Sequence, residues 1–579
     1  MKIEKSFKRA VPGLAVAAAL AMGLPVAHAG DADGKGDFKF ALSGYARAWV
    51  SINLENQPEL QAKNQGQGGG TLPAAFGGLS GNSSKPSFSK DSKWEASMVR
   101  GSVLLDADAS YMGLKFKTIA RLDREVATGY LKDLEKLRDR GQIVDTGKAG
   151  AAAMGGRATS IMDNYNNFDF REFWVEAPIG DRVTVKFGRQ QLVWGESDFF
   201  HAMDVVHGYD LSWRLFFEGE NEEWRKPLIL LSTKIRIPEA SGMLSAYIRP
   251  GWDRCQDIGN TYDVNGGRWF FQPYRGFNLD AITTKNCDQK NWNEDDVTGG
   301  VRWEGEAFDV NYSLAYINTF SADPVANANY RNTRGALNGT GGYEAGEFGT
   351  GPSANGYKGS TTHGYFFDRI HPKIDVLGAT VSGYSALLDS VISVEASYTI
   401  DQPYNFGTGA FGDPRVTGNI GNGLGGIKLK DVVNVMLRMD HNLKLEDILG
   451  TTRPSFSSIQ LFDTMVVDYK KSDDLVRLFA YGTQLKEHNT ILTMFTVLNY
   501  MNDKINPSFV LGFDLGNGGG FAIPAVAFTL NDNWVGKVEA DIFWSGGRSS
   551  KAQFGNDRSQ LFGYFDKSSQ LVFRLTRQF

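Results

Sequence analysis

The sequence contains no long apolar run beyond its first thirty residues. A helix needs about 20 consecutive apolar residues to cross a bilayer, and charged residues interrupt each apolar stretch that follows the N-terminal segment. This absence argues against membrane-spanning helices.

The N-terminal segment, residues 1–29, has the features of a secretory signal peptide. Four basic residues precede an apolar stretch, which ends in the small-residue sequence Ala27-His28-Ala29. A membrane anchor is the weaker alternative, because Pro12 and Pro25 interrupt a segment that is already shorter than a span. We predict that this segment is removed after Ala29 and that the chain is exported.

Cysteine is scarce. The chain has two, Cys255 and Cys287, and both lie in one polar tract. An exported chain with an even number of cysteines meets an oxidising compartment, so the sequence predicts a disulfide between them. A metal site is the poorer alternative, because two cysteines without a nearby histidine make an incomplete ligand set. We predict no metal ion and no other cofactor.

Histidine is scarce as well, with seven in the full sequence. An outer-membrane enzyme that acts on lipid would need a nucleophile held beside a base. The sequence has neither a Gly-x-Ser-x-Gly element nor a His-Glu-x-x-His pair. We therefore predict that the protein is not an enzyme. The enzymatic barrel stays open as an alternative, because a catalytic pair can form between residues far apart in sequence.

Basic residues are not in excess. Loss of residues 1–29 removes four of the 61 basic and one of the 66 acidic residues, which leaves a formal charge of −8. Such a chain gives no electrostatic reason to bind nucleic acid.

The chain does contain many segments in which apolar and polar residues alternate. At the C-terminus, Leu571, Phe573 and Leu575 share a face with the terminal Phe579. The same alternation occurs in residues 38–52, 114–123, 183–187, 308–316 and 392–400. Side chains of a strand alternate between two faces, so one face can meet lipid while the other meets a polar lumen. The pattern predicts an all-β protein, a transmembrane antiparallel β-barrel.

Short and long connections alternate between these segments. Gly, Pro, Asn and Asp predict tight turns near residues 110–113, 178–181, 239–242, 305–307, 502–503 and 531–533, with further connections at 387–389 and 443–454. Long polar tracts cover residues 54–93, 125–167, 190–226, 250–295, 321–373, 401–428 and 468–488. The order predicts one barrel domain over residues 30–579, with about 18 strands and a range of about 16 to 20. A soluble sandwich or propeller would give no reason for this alternation.

The tract 189–226 is unusually rich in aromatic and apolar residues for an outer loop. Their exposure to water would be costly, so the sequence predicts that the tract folds inward and constricts the lumen. Packing over the barrel mouth is the structural alternative. The candidate lumen residues are Arg189, Gln190, Trp194, Glu196, Phe199, Phe200, Asp204, Asp210, Trp213 and Arg214. We also predict that Arg189 pairs with Glu196 and so anchors the tract. The alternative is that Arg189 lines a wet pore without a specific partner.

A short motif in this tract carries a family resemblance. Gly188-Arg189-Gln190, followed by Trp194-Gly195-Glu196-Ser197 and then by Asp204-Val205-Val206, resembles the hallmark of the outer-membrane proteins in domain-of-unknown-function family 1302. Members often have Asn-Pro-x-Asp after the paired valines, where this chain has His207-Gly208-Tyr209-Asp210. Asp210 still matches the Asp of that pattern. The departure at the preceding residues leaves the local backbone conformation open.

The resemblance implies an outer-membrane barrel of a Gram-negative bacterium. Such proteins are commonly associated with an outer-membrane lipoprotein and an RND-type inner-membrane exporter of hydrophobic compounds. Together with the strand pattern, the resemblance predicts a channel for small hydrophobic or amphipathic molecules. A general polar porin is the alternative within transport, and a structural or adhesion role is a further one.

Overall fold

The computed structural model describes residues 38–56, 92–132, 135, 162, 165–197, 200–211, 221–262, 283–285, 297–328, 367–406, 427–473, 475–476, 485–546 and 561–579. The predictions made for residues 1–29, Phe199, Trp213, Arg214 and Cys287 lie outside these ranges.

Eighteen antiparallel strands form a closed barrel. They are β1 (Lys39–Asn53), β2 (Ala96–Tyr111), β3 (Leu114–Glu125), β4 (Asn167–Ile179), β5 (Val183–Gln190), β6 (Leu228–Ile237), β7 (Gly242–Arg249), β9 (Thr298–Ala307), β10 (Val310–Phe320), β13 (Lys373–Ser385), β14 (Ser390–Phe406), β15 (Ile427–Leu443), β16 (Ser455–Val466), β18 (His488–Val497), β19 (Ile505–Asp514), β20 (Gly520–Asn531), β21 (Trp534–Trp544) and β22 (Gln570–Gln578). The barrel closes because β1 pairs with both β2 and β22. The predicted fold class and strand number are confirmed.

Four further short strands in the described ranges lie outside the barrel wall. Three of them, β8 (Thr283–Lys285), β11 (Val325–Ala328) and β12 (Phe367–Ile370), form a small separate sheet, and β17 (Leu475–Val476) pairs with the end of β14. One-turn helices at Asn221–Trp224 and Glu446–Leu449, and 3-10 turns at Pro238–Ala240, Cys255–Asp257, Lys471–Asp473 and Leu561–Phe565, belong to connections. In the described residues, no helix is long and apolar enough to span a membrane.

Tight turns join the strands at one end of the barrel, as the turn residues predict. In the connection between β9 and β10 the turn lies at Phe308 and Asp309, whose φ values are 54° and 60°, whereas residues 305–307, where the sequence predicts it, still belong to β9. Two successive positive φ values match the twist of a two-residue hairpin. We call this end the short-turn end and the opposite end the long-connection end. The connection between β19 and β20, residues 515–519, is also short although it lies at the long-connection end.

The two faces of the wall differ as the alternation predicts. On β14, Glu395, Ser397 and Thr399 are buried, whereas Ile400 on the other face is exposed. Exposed apolar side chains form an outer belt around the barrel and include Leu105, Phe116, Phe187, Leu231, Leu314, Leu377, Leu437, Phe509 and Ile542.

One part of the inner wall is apolar, which the alternation does not predict. Leu230, Ile317 and Val376 lie on the inner face of β6, β10 and β13, and each is fully buried at 0% exposure. They are buried because the connection between β5 and β6 packs against them inside the barrel.

Candidate functional site

The connection between β5 and β6 lies inside the barrel in its described residues, 191–197, 200–211 and 221–227. We call it the strap. Its Trp194, Met203 and Val206 belong to one buried cluster with the apolar inner-wall residues of β6, β7, β10 and β13. Burial of such side chains contributes about 1.5–3 kcal/mol each relative to exposure. This contribution explains why so apolar a tract is stable in the lumen and not at the surface.

Glu395 of β14 holds the first half of the strap against the wall. Its carboxylate accepts the backbone N–H of Glu196 at 2.6 Å and that of Met203. Next to it, Ser397 Oγ donates to the carbonyl of Ala202 at 2.6 Å, and Arg438 of β15 donates to the carbonyl of Glu196 at 2.9 Å. Polar groups of the wall thus provide hydrogen-bond partners for the backbone of a strap segment that has no regular secondary structure.

Three arginines hold the second half of the strap. Arg47 of β1 makes two hydrogen bonds to the carboxylate of Glu223, at 2.8 and 3.0 Å, with both side chains buried. Arg121 of β3 donates to the carbonyl of Glu223 at 2.6 Å, and Arg171 of β4 donates to the carbonyls of Glu222 and Arg225. The last carbonyls of a helix lack partners within it, so Arg121 and Arg171 cap the one-turn helix at residues 221–224.

The strap crosses the whole lumen. At one side it reaches β4 through Arg171, and at the other Phe200 stacks edge-on against Phe462 of β16, with ring centroids 5.4 Å apart. In the ring of strands, β4 and β16 are nine positions apart, which is half of the circumference. The predicted inward fold of the tract therefore agrees with the contacts of the described strap residues.

A buried charge cluster lies in the middle of the strap. Asp204 accepts hydrogen bonds from the Tyr209 hydroxyl at 2.9 Å and from Arg225 at 2.5 Å. The His201 ring stacks on the Tyr209 ring at 4.5 Å. Burial raises the pKa of Asp204, but the positive charge of Arg225 outweighs it and holds that pKa below its usual value. Asp204 is therefore ionised and forms a buried ion pair.

His207 ties the two ends of the strap together. Its Nε2 accepts the backbone N–H of Leu192 at 2.8 Å, and its Nδ1 donates to the carbonyl of Lys226 at 2.9 Å. Burial lowers the pKa of His207 to about 4. The same effect lowers the pKa of Lys226 to about 8.

Nearby, the backbone of Gly208 passes so close to that of Gly259 that a Cβ at Gly208 would lie 2.0 Å from the Gly259 oxygen. Glycine is needed for this approach between the strap and the connection that follows β7.

The predicted pair of Arg189 and Glu196 is wrong. Arg189 instead contacts the Asp257 carboxylate at 2.8 Å. The reason is strand parity, because Arg189 follows Phe187 by two residues on β5 and shares its outward face, whereas the strap lies inside. Arg189 therefore binds the 3-10 turn Cys255–Asp257 at the long-connection end of the barrel. Cys255 is disulfide-bonded.

The other described candidates lie in or beside the lumen. Gln190 is buried in the wall, where it donates to the Leu230 carbonyl and accepts from Ser232. Trp194 packs edge-on against Tyr247 of β7 at 5.3 Å. Asp210 forms a backbone bridge to Thr261.

The strap separates two cavities. The cavity at the long-connection end has a volume of about 250 Å³, and its aromatic lining consists of Phe200, Tyr209, Trp224, Tyr262, Tyr404 and Phe565. The cavity at the short-turn end has a volume of about 320 Å³, and its lining includes Trp194, Lys186, Lys234, Arg302, Glu176 and Glu304. The lumen therefore has an aromatic chamber on one side of the strap and a charged chamber on the other. In the described part of the chain, no group of His, Cys, Asp and Glu side chains is placed to hold a metal ion.

Comparison with solved structures returns outer-membrane proteins. OpdK of Pseudomonas aeruginosa with vanillate is 8% identical, with a TM-score of 0.40 and coverage of 94% of this chain and 98% of that one. OmpF of Salmonella typhi in complex with daunomycin is 8% identical, with a TM-score of 0.36 and coverage of 93% and 98%. The outer membrane channel DcaP of Acinetobacter baumannii is 7% identical, with a TM-score of 0.35 and coverage of 95% and 100%.

Comparison with curated proteins gives no match. A family model described as "Protein of unknown function (DUF1302)" matches residues 10–568. This span takes in the Gly-Arg-Gln and Trp-Gly-Glu-Ser motif and nearly all of the barrel, so the resemblance predicted from the motif is confirmed. The chain belongs to the DUF1302 family.

Proposed function

We propose that the protein is a channel in the outer membrane of a Gram-negative bacterium that passes small hydrophobic or amphipathic molecules. The observation that carries this proposal is the strap, which crosses the lumen and divides it into an aromatic and a charged chamber. A ring of 18 strands is wide enough to conduct unless loops fill it. The strap would therefore set which solutes pass.

Membrane residence is supported by the surface of the wall. Apolar side chains such as Leu314, which is 58% exposed, and Leu377, which is 49% exposed, occupy the outer face along the strands. Exposing so continuous an apolar belt to water would be unfavourable, whereas lipid accommodates it. The predicted signal peptide, residues 1–29, is consistent with export to that membrane.

A general polar porin is less well supported. Such a pore would offer a continuous polar path, but here the strap and the apolar inner wall bury Trp194, Met203 and Val206 in the lumen. The long-connection cavity is also lined by aromatic rings. Both features favour solutes with an apolar body.

A lipid-acting enzyme is the rival from another class, and one serine–histidine contact bears on it. Ser390 Oγ lies 3.0 Å from His441 Nδ1, but the same nitrogen lies 2.8 Å from the carbonyl of Asp389. A nitrogen that donates to a carbonyl carries a proton and cannot act as a base toward the serine. We therefore propose a transport role.

Association with an outer-membrane lipoprotein and an RND-type exporter is a separate proposal, which the family resemblance alone supports.

The experiment that tests the channel is a deletion in the strap. Replacing residues 199–217 by a short Gly-Ser linker removes Phe200, Met203 and Val206, which pack against the wall inside the lumen. We therefore expect a several-fold larger conductance in planar bilayers and faster entry of polar solutes into vesicles. A Gly-Ser replacement of the one-turn helix Glu446–Leu449 at the short-turn end, where Ile448 and Leu449 are exposed, serves as the control and should leave conductance near the original value. Equal conductance of the original chain and the strap deletion would refute the proposal.

A further inference from the structure

We propose that the long-connection cavity binds neutral molecules that join an apolar or aromatic body to a hydroxyl group, such as alkylphenols. This inference rests on the proposed function, because it names the class of solute that the channel recognises beside the strap.

The apolar body follows from the lining. Aromatic rings from the strap, from β14 and from the 3-10 turn at Leu561–Phe565 meet around a cavity of about 250 Å³. Rings such as those of Tyr209 and Trp224, whose centroids lie 5.6 Å apart, offer both faces and edges to an apolar guest. Small-molecule sites typically combine such a lining with a few placed polar groups.

The first polar group is an acceptor. The Asp204 carboxylate accepts hydrogen bonds from Tyr209 and Arg225 through Oδ2, whereas its Oδ1 has no hydrogen-bond partner among the residues that the structure describes. The side chain is only 2% exposed and lines the cavity. A buried carboxylate oxygen without a donor is unfavourable, so a ligand that donates a hydrogen bond here is stabilised.

The second polar group is a donor on the same cavity. Within the described part of the chain, the indole N–H of Trp224 has no acceptor, and the residue is 3% exposed. Indole can only donate. Asp204 and Trp224 both contact Tyr209, so the acceptor and the donor belong to one cluster. A hydroxyl group can donate a hydrogen bond to the acceptor or accept one from the donor, so it suits either position.

The charges of the cluster favour a neutral ligand. Arg225 lies 2.5 Å from the Asp204 carboxylate and compensates its charge, so the pair offers little attraction to an ammonium group. A carboxylate ligand would place a second negative charge beside Asp204 in a desolvated site, which is unfavourable. A hydroxyl group avoids both costs.

The test compares two probes on the full chain in detergent by isothermal titration calorimetry. 4-Propylphenol and 4-propylanisole share one body, but the ether can only accept a hydrogen bond. We expect the phenol to bind about three- to tenfold more tightly, which is the value of one hydrogen bond. Equal affinities, or no binding of either probe, would overturn the inference.

Two substitutions locate the effect. Trp224→Phe keeps a ring but removes the donor, so both probes should bind at least about threefold more weakly. In Asp204→Asn, the amide oxygen faces Arg225 and the NH₂ group faces the cavity, so the preference for the phenol should disappear. Trp252→Phe is the matched control, because Trp252 stacks on the outward-facing Phe187 and should leave both affinities unchanged. Unchanged binding in Trp224→Phe would contradict the proposal even if Asp204→Asn fails to fold.

The binding result and the channel result are separable. Equal probe affinities together with a raised conductance of the strap deletion would remove the hydroxyl inference and leave the channel standing. Unchanged conductance of the deletion would remove the proposed function whatever the calorimetry shows.

Discussion

At the scale of single residues, the strap is held by buried polar groups whose partners come from elsewhere in the chain. Arg47 and Glu223 are 176 positions apart in sequence, and their side chains are 6% and 8% exposed. A buried ion pair is costly to desolvate and costly to break, because removal of one partner leaves the other charge uncompensated. Such pairs fix the position of the strap more than they add to the stability of the barrel.

His207 makes the strap sensitive to acid. Its buried ring has a pKa of about 4, below the value of about 6.5 for an exposed histidine. A released strap therefore binds a proton below about pH 6.5 whereas the docked strap does not, and docking weakens as the pH falls from 6.5 toward 4. At pH 4.5 the loss is about 2 to 3 kcal/mol. We expect hydrogen exchange of the strap amides to rise over this range.

The control for this prediction is His207→Asn, which does not titrate and should flatten the dependence on pH. His441→Asn, at the short-turn end, should retain it. If strap exchange in the original chain is the same at pH 7 and pH 4.5, then His207 does not couple docking to pH.

At the scale of elements, strands and turns follow from the sequence because each depends on local chemistry. The alternation of Ile392–Ile400 predicts which side chains of β14 face outward, and Asn502 and Asp503 predict the tight connection before β19, where both have positive φ values. The aromatic content of the strap likewise predicts burial. The partners of the strap could not be predicted, because the position of Glu395 in the alternation shows only that it faces the lumen. Its one distinguishing signal is a carboxylate among the small hydroxyls Ser393, Ser397 and Thr399.

Glu395 is expected to be the main anchor of the first half of the strap. Glu395→Ala leaves the backbone N–H groups of Glu196 and Met203 without their acceptor, at about 1–3 kcal/mol for each unpaired group. We expect frequent openings to a larger conductance in single-channel recordings, and an intermediate effect for Glu395→Gln, which keeps one acceptor oxygen. Ser393→Ala, two residues away on the same face, is the control. Recordings of Glu395→Ala that match those of this control would show that the anchor lies elsewhere.

At the scale of the whole molecule, the fold follows from the separation of two environments across one wall. The strand registers place apolar residues opposite one another on the outer face of the barrel. Examples are Val50 opposite Phe573 where the barrel closes, Leu231 opposite Ile248, and Leu437 opposite Val394. A slip of one residue in any pair would turn apolar side chains into the lumen and charges into the surroundings. The alternation of apolar and polar residues along each strand therefore determines which side chains face the lumen and which face the surroundings of the barrel.

This dependence predicts the effect of a charge on the outer belt. Leu314 lies near the middle of β10 and is 58% exposed on the outer face. If lipid surrounds that face, Leu314→Arg should destabilise the folded barrel by about 2–4 kcal/mol, as measured by denaturant unfolding in phospholipid vesicles. Leu387→Arg, in the short turn between β13 and β14 where the side chain is 93% exposed, should cost no more than about 1 kcal/mol. Because both variants introduce the same residue, only the depth of the position differs between them. Equal and small losses would place the belt in water, and the channel proposal would then lose its physical basis.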